Sequence, residues 1–531
     1  MRLLLGPLLR HVGATTATVW VQTSGPAEVE VLGATARTFA VCGHHFALVE
    51  VTGLTPGSVT PYEVRVNGEP VWPSPGSGLP PSVIRTRGGA GPVRVVFGSC
   101  RHAEPDDRRT AAALGVDAMR AYARRMAGLA PEKWPDALLL LGDQVYADDP
   151  SPQTRRWLRS RRDTADASQV EVGDFTEYVR LYRDTWSDPE SRWLLSTVPT
   201  AMIFDDHDVR DDWNTSEAWR RRLTATHWWR PRIRGALASY WVFQHIGNLG
   251  PEELAGERTW AAVRDCHGDA WPILRDMADA ADREPDTVRW SYRWEINRVR
   301  LVMVDSRAGR VVREGSRAML DDEEFAWVED AVSADTAQAE HVLVGTSLPW
   351  LLAPAIHDVQ SANELACARG GRLAERIRQG VDLEHWAAFR DSFDRLGALL
   401  RRVATGPDAP ATVNVLSGDV HHNYVARARF HGHHGSPVYQ LVSSPVHHTV
   451  PWYARAAMRL SWLGPVAGAV RRVVRRFGVD DPALSWERVS GPFFGNGLAT
   501  AEFDGRGAEL VIENTRDAGL ATVSRLVLAK R

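Results

Sequence analysis

Four apolar runs in this chain each end on a residue able to bind a metal ion. Val95-Val96-Phe97-Gly98-Ser99 runs into Cys100, and Leu138-Leu139-Leu140-Leu141-Gly142 runs into Asp143, with Tyr146 shortly after. Ala201-Met202-Ile203-Phe204 runs into Asp205-Asp206-His207-Asp208. Val413-Asn414-Val415-Leu416-Ser417-Gly418 runs into Asp419-Val420-His421-His422. Asp205, Asp206, Asp208, Asp211 and Asp212 put five carboxylates into eight positions. Buried carboxylates that crowded repel one another and are driven to protonate. Multivalent cations remove the repulsion, and oxygen-rich sites suit hard cations. Two such ions would clamp a phosphate and activate a water for in-line attack.

Each residue also has a plainer reading. Cys100 alone is a core thiol as readily as a ligand. Asp143 after a glycine could simply start a turn. Tyr146 could pack, and residues 205–208 could form a solvated acidic loop, although such a loop seldom follows a buried strand. His421 and His422 alternate in direction if the strand continues, so one of them would face the site. His447 and His448 read as surface or core histidines. Asp305 and Arg307, after Leu301-Val302-Met303-Val304, form either a structural ion pair or a substrate clamp.

The elements that must position these residues follow from hydrophobic patterning. Residues 1–88 read as all-β: Ala17-Thr18-Val19-Trp20-Val21-Gln22 and Tyr62-Glu63-Val64-Arg65-Val66 alternate, with Gly/Pro punctuation between such runs. This predicts a small β-sandwich like a fibronectin-type module. From residue 92, continuous apolar strands alternate with helical stretches, the signature of an α/β domain with sheets buried on both faces. One helix is expected over Ala111–Leu129, and helices over the Trp/Arg-rich residues 215–290. In such sheets ligands gather at the carboxyl ends of the strands, which would bring the four run ends together.

Composition bounds the rest. The chain has 531 residues, and 63 Lys+Arg nearly balance 66 Asp+Glu. That excludes a nucleic-acid binder held by bulk charge and a disordered chain. Four scattered cysteines without a CxxC pair exclude a disulfide scaffold. The Met1-Arg2-Leu3-Leu4-Leu5 start is a short apolar run, broken by Gly6 and Pro7, which reads as a first strand rather than a secretion signal. A cytoplasmic location is the expectation. Residues 452–478 carry six arginines and no acidic residue, interleaved with apolar residues. They read as a helical insertion with solvated arginines, or as an amphipathic membrane-surface helix or anionic-substrate lid.

The ordered set Phe97-Gly98-Ser99-Cys100, Gly142-Asp143-Gln144-Val145-Tyr146, Asp205-Asp206-His207-Asp208, Val304-Asp305-Ser306-Arg307 and Ser417-Gly418-Asp419-Val420-His421-His422 resembles the PhoD (alkaline phosphatase D) family of calcineurin-like metallophosphoesterases. The resemblance implies a four-layered α/β/β/α domain over 92–531, with insertions near 215–290 and 452–490, behind the β-sandwich. It implies hydrolysis of phosphomonoesters or phosphodiesters, with a ferric ion beside calcium; zinc, manganese or magnesium are alternatives. By position, Cys100, Asp143, Tyr146 and His421 would be iron-side ligands. Asp143 would bridge to the second ion, with Asp206 and Asp419 on the calcium side. His207 would protonate the leaving oxygen or stabilise the transition state. Arg307 and His422 would contact substrate. Asp211-Asp212 stand where the family often has Asn-Asn, and the arginine-rich segment has no family counterpart. Open alternatives are an aspartyl-phosphate enzyme built on Asp143, a degenerate binding protein, and a membrane-surface protein acting through 452–478.

Overall fold

The computed structural model describes residues 1–88, 91–105, 107–162, 170–432, 435–517 and 519–531. Leu3–Val12 pairs antiparallel with Ala17–Thr23, which pairs in turn with His44–Val51 and, through it, Phe39–Val41. A second four-stranded sheet carries Glu28–Val31 and Val64–Val66. Valines of both sheets, among them Val19, Val49, Val29 and Val64, share one buried core.

The strand Ala17–Thr23 departs from its sequence pattern. Its alternation predicts one wet face, yet all its residues are buried. The second face lies against the rest of the chain: Trp20 is 5.1 Å from Phe243, and Phe39 is 5.9 Å from Trp260, ring to ring. Arg10 is fully buried there, donating to the Gln244 carbonyl at 2.7 Å and to Asn248 Oδ1 at 2.8 Å. The Trp/Arg-rich stretch folds as expected into helices, including Trp229–Tyr240 and Trp271–Arg283. These fill the space between sandwich and central sheets. That position also accounts for much of the tryptophan content, since Trp186, Trp241, Trp290 and Trp294 are fully buried around it.

Two stacked sheets make the centre. In the first, Val93–Gly98, Ala137–Leu141 and Thr200–Ile203 run parallel, and Gly497–Asp504, Gly507–Arg516 and Gly519–Ala529 continue it antiparallel. In the second, Val299–Met303, His341–Gly345, Thr412–Ser417 and Val438–Val442 are parallel neighbours. Ser306 Oγ and Ser347 Oγ meet at 2.8 Å at the site end of the second sheet. His341 lies 4.7 Å from Phe503, ring to ring, between the sheets. Helices such as Ala118–Ala127 and Arg390–Thr405 flank the stack, giving the four-layered α/β/β/α domain.

Two local expectations change. The single helix over 111–129 is two, Arg108–Leu114 and Ala118–Ala127. Gly115, at φ 82°, ends the first, and the Asp117 carboxylate caps the second by accepting from Met119 and Arg120. The insertion near 452–490 contains helices Trp452–Ser461 and Gly464–Arg476, but Leu484–Phe493 is a strand of the second sheet, paired with Asn423–Phe430. Among the described residues, no helix is long and apolar enough to cross a membrane.

Candidate metal centre

The ends of the parallel strands do converge, and they do so in an uncommon backbone conformation. Cys100, Asp143, Asp419 and His421 have φ of 58°, 51°, 63° and 51°, in the left-handed region that L-residues rarely occupy. Each chain turns sharply off its strand at these positions, which aims the side chain over the sheet edge. Such strain persists only where surrounding structure over-determines it, and it gathers at functional sites.

Hydrogen bonds lock the turns to each other. The Asp208 carboxylate accepts from the backbone N–H of Asp143 at 3.0 Å, Val145 at 3.3 Å and Asp205 at 2.9 Å. Ser99 Oγ accepts from the Asp419 N–H at 3.0 Å, joining the two sheets. Gly142 is at φ 102°, and a Cβ there would stand 2.6 Å from Asp205 Cβ. Glycine is therefore required for the close approach of these loops.

The result is a carboxylate cluster. Asp143, Asp205, Asp206 and Asp419 each offer an oxygen within 4.8 Å of the others. Asp206, His207 and Asp211 form a second such group. Neither group includes Cys100 or His421. Cys100 is buried beside the cluster, its Sγ 3.7 Å from the Asp419 carbonyl and 3.3 Å from Ser444 Oγ. Tyr146 is buried against His207, with ring centroids 4.7 Å apart. Asp143 Oδ1, Asp205 Oδ2 and the Tyr146 hydroxyl are buried without a hydrogen-bond partner.

Electrostatics follow from that crowding. Burial, then repulsion from Asp205 and Asp206, pushes the Asp143 carboxyl well above its ordinary range, although His207 opposes this. Burial pushes Asp206 up to about 6. Burial, with Asp143 and Asp419 nearby, pushes the Cys100 thiol well up. Such a set of buried oxygens, with a thiol and a phenol adjoining, fits cations in the site.

His207 is held by a residue absent from the sequence reading. Its Nδ1 lies 3.0 Å from both carboxylate oxygens of Asp148. Burial alone would lower the His207 pKa, but Asp148 and Asp206 outweigh it and hold the imidazole well above its usual value. Asp148 itself, despite burial, is held at about 2 by His207.

Arg307 corrects its assignment as a substrate contact. It is fully buried beneath the cluster, bonded to Asp205 and Glu384 and 3.0 Å from Asp206. Its guanidinium is taken up by Asp205, Asp206 and Glu384 rather than by Asp305, whose carboxylate accepts from the backbone N–H groups of Arg307, Ala308 and Gly309. His421 and His422 both line the cavity over the cluster, whereas strand alternation predicted one. The strand has ended at Ser417 and does not resume until Asn423, so alternation does not apply.

That cavity has a volume of about 350 Å³ and also takes in Asp382, Glu384 and His385. His385 Nε2 bonds Asp419 Oδ2 at 2.8 Å, and that bond with Arg307 nearby outweighs burial to keep Asp419 low. His448 stacks on His421 at 4.5 Å and on Tyr146 at 5.7 Å. Asp148, Glu384, His385 and His448 carry no motif of their own. An acidic or histidine residue in a loop gives no signal before its partners are known.

Comparison with known proteins agrees with this fold. A solved structure of PhoD is 12% identical, with a TM-score of 0.56 over 98% of this chain and 92% of that one. Purple acid phosphatase PPD1 from yellow lupin (Lupinus luteus) seeds is 10% identical, with a TM-score of 0.51 over 97% of this chain and 73% of that one. These likenesses show the shared fold. No curated protein matches the chain. Residues 1–84 match a domain of unknown function, DUF7800. Residues 96–459, more than half of the chain, match the model of the PhoD-like phosphatases, and the chain belongs to that family.

Proposed function

We propose that this protein hydrolyses phosphomonoesters or phosphodiesters at the carboxylate cluster. The observation that carries the reading is four aspartates from three strand ends with oxygens within 4.8 Å, beside a histidine held by Asp148. Family membership supports a metal-dependent phosphatase. Asp143, Asp206 and Asp419 would hold calcium or another hard cation. Cys100, Tyr146 and His421 would complete, with Asp143, a ferric site. The ions would neutralise the carboxylates, polarise the phosphoryl group and activate water.

The chain's own residues do the rest. Asp208 and Arg307 hold the loop ends so that the carboxylates stay together. Asp148 keeps His207 protonated and fixes its ring through Nδ1. Nε2 is then the atom that gives its proton to the leaving oxygen as the P–O bond breaks. His422, stacked on Tyr424 at 5.1 Å, forms a wall of the cavity and would contact the ester.

The test combines elemental analysis with turnover. The purified protein is expected to contain iron and calcium, to absorb visible light, and to hydrolyse p-nitrophenyl phosphate or its bis-ester. Asp143→Asn is expected to lose bound metal and at least about a thousandfold in rate. Asp143→Asn that keeps both metal and rate would sink the reading. A trapped phospho-aspartate at Asp143 would replace it with covalent catalysis. Zinc or manganese alone would keep the hydrolase and remove the ferric assignment.

A further inference from the structure

The arginine-rich segment is not absorbed by this chemistry. Helix Gly464–Arg476 packs on helix Pro354–Ala368, with Val474 buried and Arg471 paired to Asp358. Its outer face, Pro465, Ala469 and Val473, is exposed. Helix Trp452–Ser461 turns Tyr453, Ala457 and Leu460 outward at i, i+4 and i+7 spacing. Trp452 is 80% exposed, Phe477 65% and Tyr453 64%. Soluble surfaces seldom leave neighbouring aromatic side chains so bare.

Charge surrounds this apolar face. Residues 451–479 contain six arginines and no acidic residue. The Asp358 and Asp481 carboxylates pair with Arg471 and Arg475. Among the described residues, Arg455, Arg459, Arg472 and Arg476 form no ion pair with a carboxylate. Tryptophan and tyrosine favour the boundary between water and lipid, and arginine stems lie along apolar surface while their heads reach anionic groups.

We propose that the two-helix segment 452–477 is a docking surface for an anionic lipid bilayer. It lies on the membrane plane: Trp452, Tyr453, Leu460 and Phe477 enter the headgroup boundary, and the exposed Arg459, Arg472 and Arg476 meet lipid phosphates. The first helix also borders the cavity over the carboxylate cluster, through Pro451, Ala454 and Met458. Bilayer contact therefore brings the cavity mouth to the lipid surface. The proposal does not rest on the phosphoesterase reading.

The test is co-sedimentation of the full chain with vesicles of phosphatidylcholine alone and of phosphatidylcholine mixed with phosphatidylglycerol. Binding is expected to the mixed vesicles, to weaken with salt, and to be slight with phosphatidylcholine alone. Arg472→Gln with Arg476→Gln is expected to lower the partition coefficient about 25-fold at low salt. Trp452→Ala with Phe477→Ala is expected to lower it at least about tenfold. Each variant is checked for an unchanged melting temperature. Absence of binding by the wild-type chain, or variants that bind like it, overturns the proposal. So does a concentration-dependent dimer in sedimentation velocity that Trp452→Ala with Phe477→Ala abolishes, which would assign the face to a second copy.

Discussion

Arg307 shows how one side chain decides what its neighbours can be. It is buried among Asp205, Asp206 and Glu384, and those contacts outweigh its own burial to hold it charged. Removing one member of a buried charge cluster leaves the others uncompensated. Arg307→Met is therefore expected to destabilise the protein by about 3–5 kcal/mol, measured by denaturant unfolding. A substrate clamp would instead raise KM and leave stability unchanged. The motif Val304-Asp305-Ser306-Arg307 was legible in the sequence, but the role of its arginine was not. Glu384, the partner that occupies it, lies 77 residues away in a loop. A separation of 59 residues likewise hid Asp148 from His207. Contiguous motifs at strand ends can be read directly, whereas a pairing made by tertiary folding carries no local mark.

At the scale of elements, the site is a meeting of strand ends, and small residues permit the meeting. Gly418 faces Ser99 so closely that a Cβ would collide with that side chain. Ser99 is the residue whose hydroxyl joins the two sheets through Asp419. Gly418→Ala is expected to push these ends apart, cost about 1–3 kcal/mol in unfolding free energy, and weaken metal retention measured after dialysis. Retention and stability equal to the native protein would show that the junction does not position Asp419. The parallel strands and their ends were legible because uninterrupted apolar runs mark sheets covered on both sides. The split at Gly115 and the strand Leu484–Phe493 were less so. A helical pattern can continue across a break, and an exposed edge strand buries too little to show a clear period.

At the scale of the whole molecule, the carboxylates make stability depend on pH. Burial raises Asp206 to about 6, Asp208 to about 7 and Asp212 to about 9. A raised carboxyl binds its proton more tightly folded than unfolded, so stability falls as pH rises from about 4 through these values. Asp148, held at about 2, acts in the opposite sense but only below about pH 4. The chelated protein is expected to melt at progressively lower temperature from pH 5 to 9, and added calcium or iron to flatten that slope. A flat profile for the chelated protein would contradict charge crowding in the folded state.

The buried second face of the sandwich carries a different consequence. Trp20 and Phe46 pack on Phe243, and Arg10 is bonded to Gln244 and Asn248, so the first module and the helical stretch behind it share one interior. Neither is a bead on a string. Across related chains the two should be inherited together or lost together, with compensating substitutions on either side of the junction. A lineage that shed the leading strands would have to resurface those helices with polar residues.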